Sequence, residues 1–322
     1  MNWIHKRTAK YMSFLTLTIV LGCSNTGEET KSVAQNDEMS SESKTLMHPL
    51  NISFEFSIEK ETYKIFAHTK EDLDAAIHEV EAASQSFMKL LKMVPPQISV
   101  FLFRSNEELQ ASGAVPLAQR GAHFFLFLSK EALKEMGEQA DKPGIISHEV
   151  AHHYLINAVP LIMQAVGKPE RPLKLSNYGS GYLPDWIDEA VALGCQLEEF
   201  KIFHKNLIHQ FKGNLIPLNE LFEMPHPVPK EKIRDSEKQH GEWSAAIIKI
   251  DKEHQEATER FYSQCMWLVE YLHEKGGDGV LLFIVSGTLK GRTMDELLAE
   301  NTPLPKTVKD LENDWLKWLE KK

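Results

Sequence analysis

The sequence predicts an α+β fold in which a mixed-sheet lobe is followed by a mainly helical lobe. Three observations predict it. β-forming runs are confined to residues 51–128, helical periodicity dominates after residue 141, and the two regimes meet at a histidine-rich segment with helical spacing. With 322 residues, 42% of them hydrophobic, the chain has enough apolar side chain for a full core.

The N-terminus is read first. Lys6, Arg7 and Lys10 precede an apolar run over residues 11–22, shorter than the about 20 apolar residues a permanent helical span needs. Residues 1–22 are therefore expected to be a secretion signal that is removed. Val20-Leu21-Gly22-Cys23 resembles a bacterial lipobox. That resemblance implies that Cys23 is lipidated and anchors the chain to a membrane of the cell envelope, facing away from the cytoplasm. Ser24 supplies no retention signal, so an outer-membrane destination stays open. The other reading is an ordinary signal peptide cut nearby, with Cys23 left as a thiol.

Residues 23–47 are rich in Ser, Glu, Asn and Thr and poor in aliphatics, a composition that buries too little surface to fold and serves as a tether. Three of the 36 basic residues and none of the 46 acids fall in residues 1–22, so the remainder carries a net charge of −13. Nucleic acid is excluded as an expected partner. Besides Cys23, only Cys195 and Cys265 remain, and the sequence allows either a disulfide or two buried thiols.

Residues 48–322 form the expected folded domain, divided into an α/β lobe (48–158) and a helical lobe (159–322). Residues 51–57 and 62–68 predict a hairpin around the charged turn 58–61. A long helix follows over 71–93, with apolar side chains recurring at three and four until Pro95-Pro96. Residues 97–103 predict a strand, Ser105 caps a short helix, 121–128 predict another strand, and 131–136 a helical turn. Helices are then expected over 143–158, 184–196, 217–222, 256–275, 279–289, 293–300 and 305–321.

The segment over 141–156 carries the chemistry. Asp141 and Pro143 suit the opening of a helix, and His148-Glu149-Val150-Ala151-His152 lies inside it. Side chains four apart stack on one helical face, so both imidazoles reach one Zn²⁺. Glu149, one step round from His148, stands beside the metal's open position, where it takes a proton from water. The pentapeptide alone recurs by chance too readily to carry the assignment. A hydrolytic zinc site needs a third protein ligand, and Pro184-Asp-Trp-Ile-Asp-Glu-Ala-Val-Ala offers Glu189 on a helix whose small neighbours Ala190 and Ala192 permit close approach.

With His148, Glu149, His152, Trp186, Glu189, Ala190 and Ala192 in this order, the sequence resembles the gluzincin zinc metallopeptidases, in particular the peptidase MA-like, thermolysin-like group. There a Trp-x-x-Glu helix follows HExxH and completes the zinc site. The resemblance implies a zincin-like fold, Zn²⁺ held by His148, His152 and Glu189, Glu149 as the catalytic base, and hydrolysis of a peptide or protein substrate. By element order it extends over about residues 97–320, and only the metal motifs are specific. Two departures stand out: Leu193 occupies the position where thermolysin-like members carry an acid that orients a histidine, and residues 160–182 form a longer insertion.

Peptide hydrolysis also needs a donor for the oxyanion. The resemblance points to Tyr262, while core packing explains the same residue equally well; Tyr178 and Tyr182 are alternatives. His153 points about 100° away from His152 and reads as packing or solvent. The strand at 121–128 fits either an edge that holds an extended substrate or an interior strand. The remaining histidines, including His204, His209, His226, His240 and His254, read as surface residues. The resulting expectation is a membrane-anchored zinc peptidase. The competing one is an envelope lipoprotein of the same fold that binds or chaperones without hydrolysis.

Overall fold

The computed structural model describes residues 52–112, 124–128, 144–168, 182–228, 252–300 and 303–322. The signal segment, Cys23, the tether, the turn expected at 131–136, Tyr178 and His240 lie outside these residues.

Strands β1 (Phe56–Glu59) and β2 (Tyr63–Ala67) pair antiparallel as the hairpin, with Phe56 opposite Ala67. The first strand starts five residues later than expected. The turn closes instead through the Lys60 N–H donating to the Tyr63 carbonyl at 2.8 Å. Phe54 packs off the ladder, with ring centroids 4.8 Å from His68 and 5.6 Å from Phe103, so its apolar character reflects burial without pairing. Helix α1 (Lys70–Leu91) is capped by Thr69, whose hydroxyl accepts from the Asp72 N–H. It leads to β3 (Ile98–Phe103), which pairs parallel to β2. Ser105 caps α2 (Asn106–Ala111) as expected. β4 (Phe124–Leu128) pairs parallel to β3, which gives a four-stranded mixed sheet in the order β1-β2-β3-β4. Among the described residues β4 is thus an edge strand.

The rest is helical. Helix α3 (Ile145–Ala165) carries the two histidines and is buried on nearly every side, packed against α1 and α4 (Asp185–Cys195). Helix α5 (Glu198–Leu207) runs into a 3₁₀ turn (Ile208–Phe211). Then come α6 (Leu218–Leu221), α7 (Lys252–Gly276), α8 (Val280–Leu289), α9 (Met294–Ala299) and α10 (Val308–Leu319). One hydrophobic cluster runs from Ile65 and Val100 in the sheet through Val150 and Ala190 to Trp315 in the last helix, so both expected lobes share a core. Helix α7 lies against α4, and Cys195 and Cys265 on these two helices are free, buried thiols. Among the described residues, no helix is long and apolar enough to cross a membrane.

Candidate metal centre

Helix α3 begins one residue past Gly144, which holds φ at 101°. A Cβ there would lie 2.6 Å from the Phe200 ring, so glycine is required by both backbone and space. Asp141 and Pro143, expected at this helix start, lie outside the described residues. The orphan donors of the first turn are served from afar: the buried Glu79 carboxylate on α1 accepts from the Ser147 N–H at 2.9 Å. The Ser147 hydroxyl donates to the Gly144 carbonyl and accepts from the Leu197 N–H. Helix α3 is therefore tied at its start to α1 and to the α4–α5 junction.

Within this frame His148 and His152 face α4. Their Nε2 atoms are 3.1 Å apart, and the Glu189 carboxylate lies 3.5 Å from one and 3.7 Å from the other. Two ligand atoms about 2.0–2.1 Å from one tetrahedral Zn²⁺ sit about 3.4 Å apart, so the observed spacings suit such an ion. His148, His152 and Glu189 are all buried, with donor atoms within 4.8 Å of one another. This cluster could hold a metal ion.

The second nitrogen of each ring has its own partner. His152 Nδ1 is 3.4 Å from Asp188 Oδ1, and His148 Nδ1 is 3.0 Å from Gln196 Nε2. Imidazoles that present Nε2 to a metal carry their proton on Nδ1 and donate it to an acceptor. Asp188 supplies one acceptor, and Gln196 would supply the other with the two ends of its amide exchanged, so that Oε1 in place of Nε2 faces His148. Leu193 had left these roles unassigned in the sequence. Asp188, next to Glu189, and Gln196, just past the end of α4, are the functional residues missed there.

The electrostatics favour a cation. Asp188 and Glu189 are 1% and 0% exposed, and burying adjacent carboxylates costs several kcal/mol each unless positive charge faces them. Burial opposes charge on His152, yet Glu189 and Asp188 outweigh it and push its pKa up to about 9. Burial, helped by the neighbouring imidazoles of His152, His204 and His226, holds His148 well below the usual histidine range. Burial pushes the Glu149 carboxyl up to about 7 against the attraction of His152.

Tyr262, on α7, is brought to the same place. Its ring centroid is 6.1 Å from that of His148, and its hydroxyl is 3.0 Å from His226 Nε2. Two surface expectations are corrected here. His226 and His204 are buried, and both pack on Tyr262, with ring centroids 5.6 and 5.9 Å away. His226 follows Pro225 and precedes Pro227, a rigid bracket that sets its backbone and was the one local sign of its role. His204 lies on α5, a helix absent from the expected elements. His209 is exposed as expected, His254 is partly buried, and His153 is buried in packing. Tyr182 is partly buried against the core. No protein-family model, no curated protein and no solved structure matches the chain.

Proposed function

We propose that the protein is a zinc-dependent peptidase with the gluzincin, peptidase MA-like site and a zincin-like fold, tethered to a cell-envelope membrane through a lipid on Cys23. The observation that carries the reading is the paired orientation of the ligand histidines: each turns Nε2 to Glu189 and Nδ1 to an outer partner, Asp188 or Gln196. This is how a hydrolytic zinc site is ordered. Held by His148, His152 and Glu189, Zn²⁺ would supply Lewis acidity and make water a stronger acid.

The protein's own groups do the rest. Glu149, whose carboxyl is raised by burial against the attraction of His152, takes a proton from the water that attacks the scissile carbonyl and passes it to the leaving amine nitrogen. Tyr262 donates its hydroxyl proton to the carbonyl oxygen as charge gathers there. Among the described residues β4 is paired on one side only and contacts α3, a placement that suits an extended peptide backbone.

The test is metal content with peptide hydrolysis for the parent and Glu149→Gln. Both should hold stoichiometric zinc, and the variant should lose at least about 100-fold in kcat. Equal turnover in the two would sink the assignment of Glu149. Full zinc with no hydrolysis of any peptide in a mixed library would favour the binding or chaperone-like reading.

A further inference from the structure

We propose that His226 is a positioning residue that holds the Tyr262 hydroxyl with its proton directed away from His226, and that also braces the ligand Glu189. The proposal depends on the peptidase reading only for its catalytic consequence.

The argument starts from the loop. His226 sits in Pro225-His226-Pro227, and its backbone N–H donates to Asp185 Oδ2 on the first turn of α4 at 2.6 Å. The loop is thus fastened to the helix that carries Glu189. The Val228 N–H donates to His226 Nδ1 at 3.1 Å. A backbone N–H is only a donor, so Nδ1 is an acceptor there, and the proton of the neutral ring is on Nε2.

That Nε2–H faces two oxygens, the Tyr262 hydroxyl at 3.0 Å and Glu189 Oε1 at 3.5 Å. With the tautomer fixed by Val228, Tyr262 must accept from His226 and cannot donate to it. Its own proton is left to point elsewhere, as an oxyanion donor requires. The opposite tautomer would draw the phenol proton onto His226. His226 is not among the three residues whose donor atoms lie within 4.8 Å of one another, so it would support Glu189 from outside that group. One loop imidazole therefore sets both a ligand and a hydroxyl.

The experiment uses the full chain, loaded with zinc and ¹⁵N-labelled at histidine. Long-range ¹H–¹⁵N correlation should place the His226 proton on Nε2, and Tyr262→Phe should shift that resonance while zinc stays stoichiometric. A proton on Nδ1, or an Nε2–H that does not respond to Tyr262→Phe, overturns the proposal. These readouts need no activity. On a quenched-fluorescent peptide selected from a mixed library, His226→Phe should lower kcat about 10–100-fold with little change in KM. His226→Gln, which keeps an amide N–H, should recover part of it, and His226→Phe should cost little more in a Tyr262→Phe background. Parental kcat in His226→Phe, or full additivity with Tyr262→Phe, overturns the proposal. If the parent cleaves no peptide, the peptidase reading fails and the tautomer and its coupling to Tyr262 decide this one.

Discussion

Asp188 and Glu189 are adjacent in sequence, yet they serve different atoms of the site: Glu189 faces both Nε2 atoms, and Asp188 reaches behind His152 to its Nδ1. The division follows from the about 100° turn between neighbours on a helix. It also explains what the sequence could show. His148, Glu149 and His152 are legible because four-residue spacing is local, and Glu189 because a tryptophan and small residues flank it. Gln196, His204 and His226 enter through tertiary packing, which spacing does not encode. Asp188→Asn should keep the shape of the site but weaken zinc binding about 10–100-fold in chelator competition; unchanged affinity would remove Asp188 from the site. A second carboxylate has a pH signature. Burial raises the pKa of Glu108, but the side chain and backbone N–H of Arg104 and the charge of His68 outweigh it, so the folded value is lowered. A lowered carboxyl stabilises the fold above its unfolded pKa, and that contribution fades as pH falls through the folded value. Glu108→Gln should therefore lower the urea midpoint at pH 7, with the gap from the parent shrinking as pH falls below the ordinary glutamate range of about 4; a gap that stays constant as the carboxyl is protonated refutes the linkage.

Helix α3 shows the same split at the scale of the element. Its existence and, to within two residues, its start are legible from the sequence, but it runs on through Pro160 to Ala165, beyond the expected 158, and the acceptor for its first turn is Glu79, 68 residues upstream. Glu79→Ala should lower the unfolding free energy by about 1.5–3 kcal/mol, the range for a hydrogen bond to a charged group. An unchanged denaturation midpoint would show that the cap contributes nothing. Helix α5 escaped the sequence reading for a related reason. It follows α4 with only Gln196 and Leu197 between, and Leu197 caps it without a side-chain hydrogen bond, so no start signal separates the two helices. By contrast α9, opened by the Thr293/Glu296 capping box, stands where its sequence places it.

On the scale of the whole molecule, the site is where separate parts of the chain are held together. The three side chains that could hold a metal come from α3 and α4, their outer partners from α4 and the residue after it, and Tyr262 from α7. Helix α7 in turn packs on α4, α5, α8 and α10. A bound ion would thus join helices that already share one core, and the gain should appear in global unfolding. Ligand binding stabilises by RT ln(1 + [L]/Kd), about 4 kcal/mol at a thousandfold excess over Kd. In a domain of this size about 2–4 °C accompanies each kcal/mol, so zinc should raise Tm by about 8–16 °C over the chelated protein. Glu149→Gln should keep that shift, since its side chain is assigned to proton transfer, and His152→Ala should lose most of it. If the shift survives His152→Ala, the ion binds elsewhere; if zinc leaves the parent's Tm unmoved, the three buried side chains hold no metal and their convergence needs another cause.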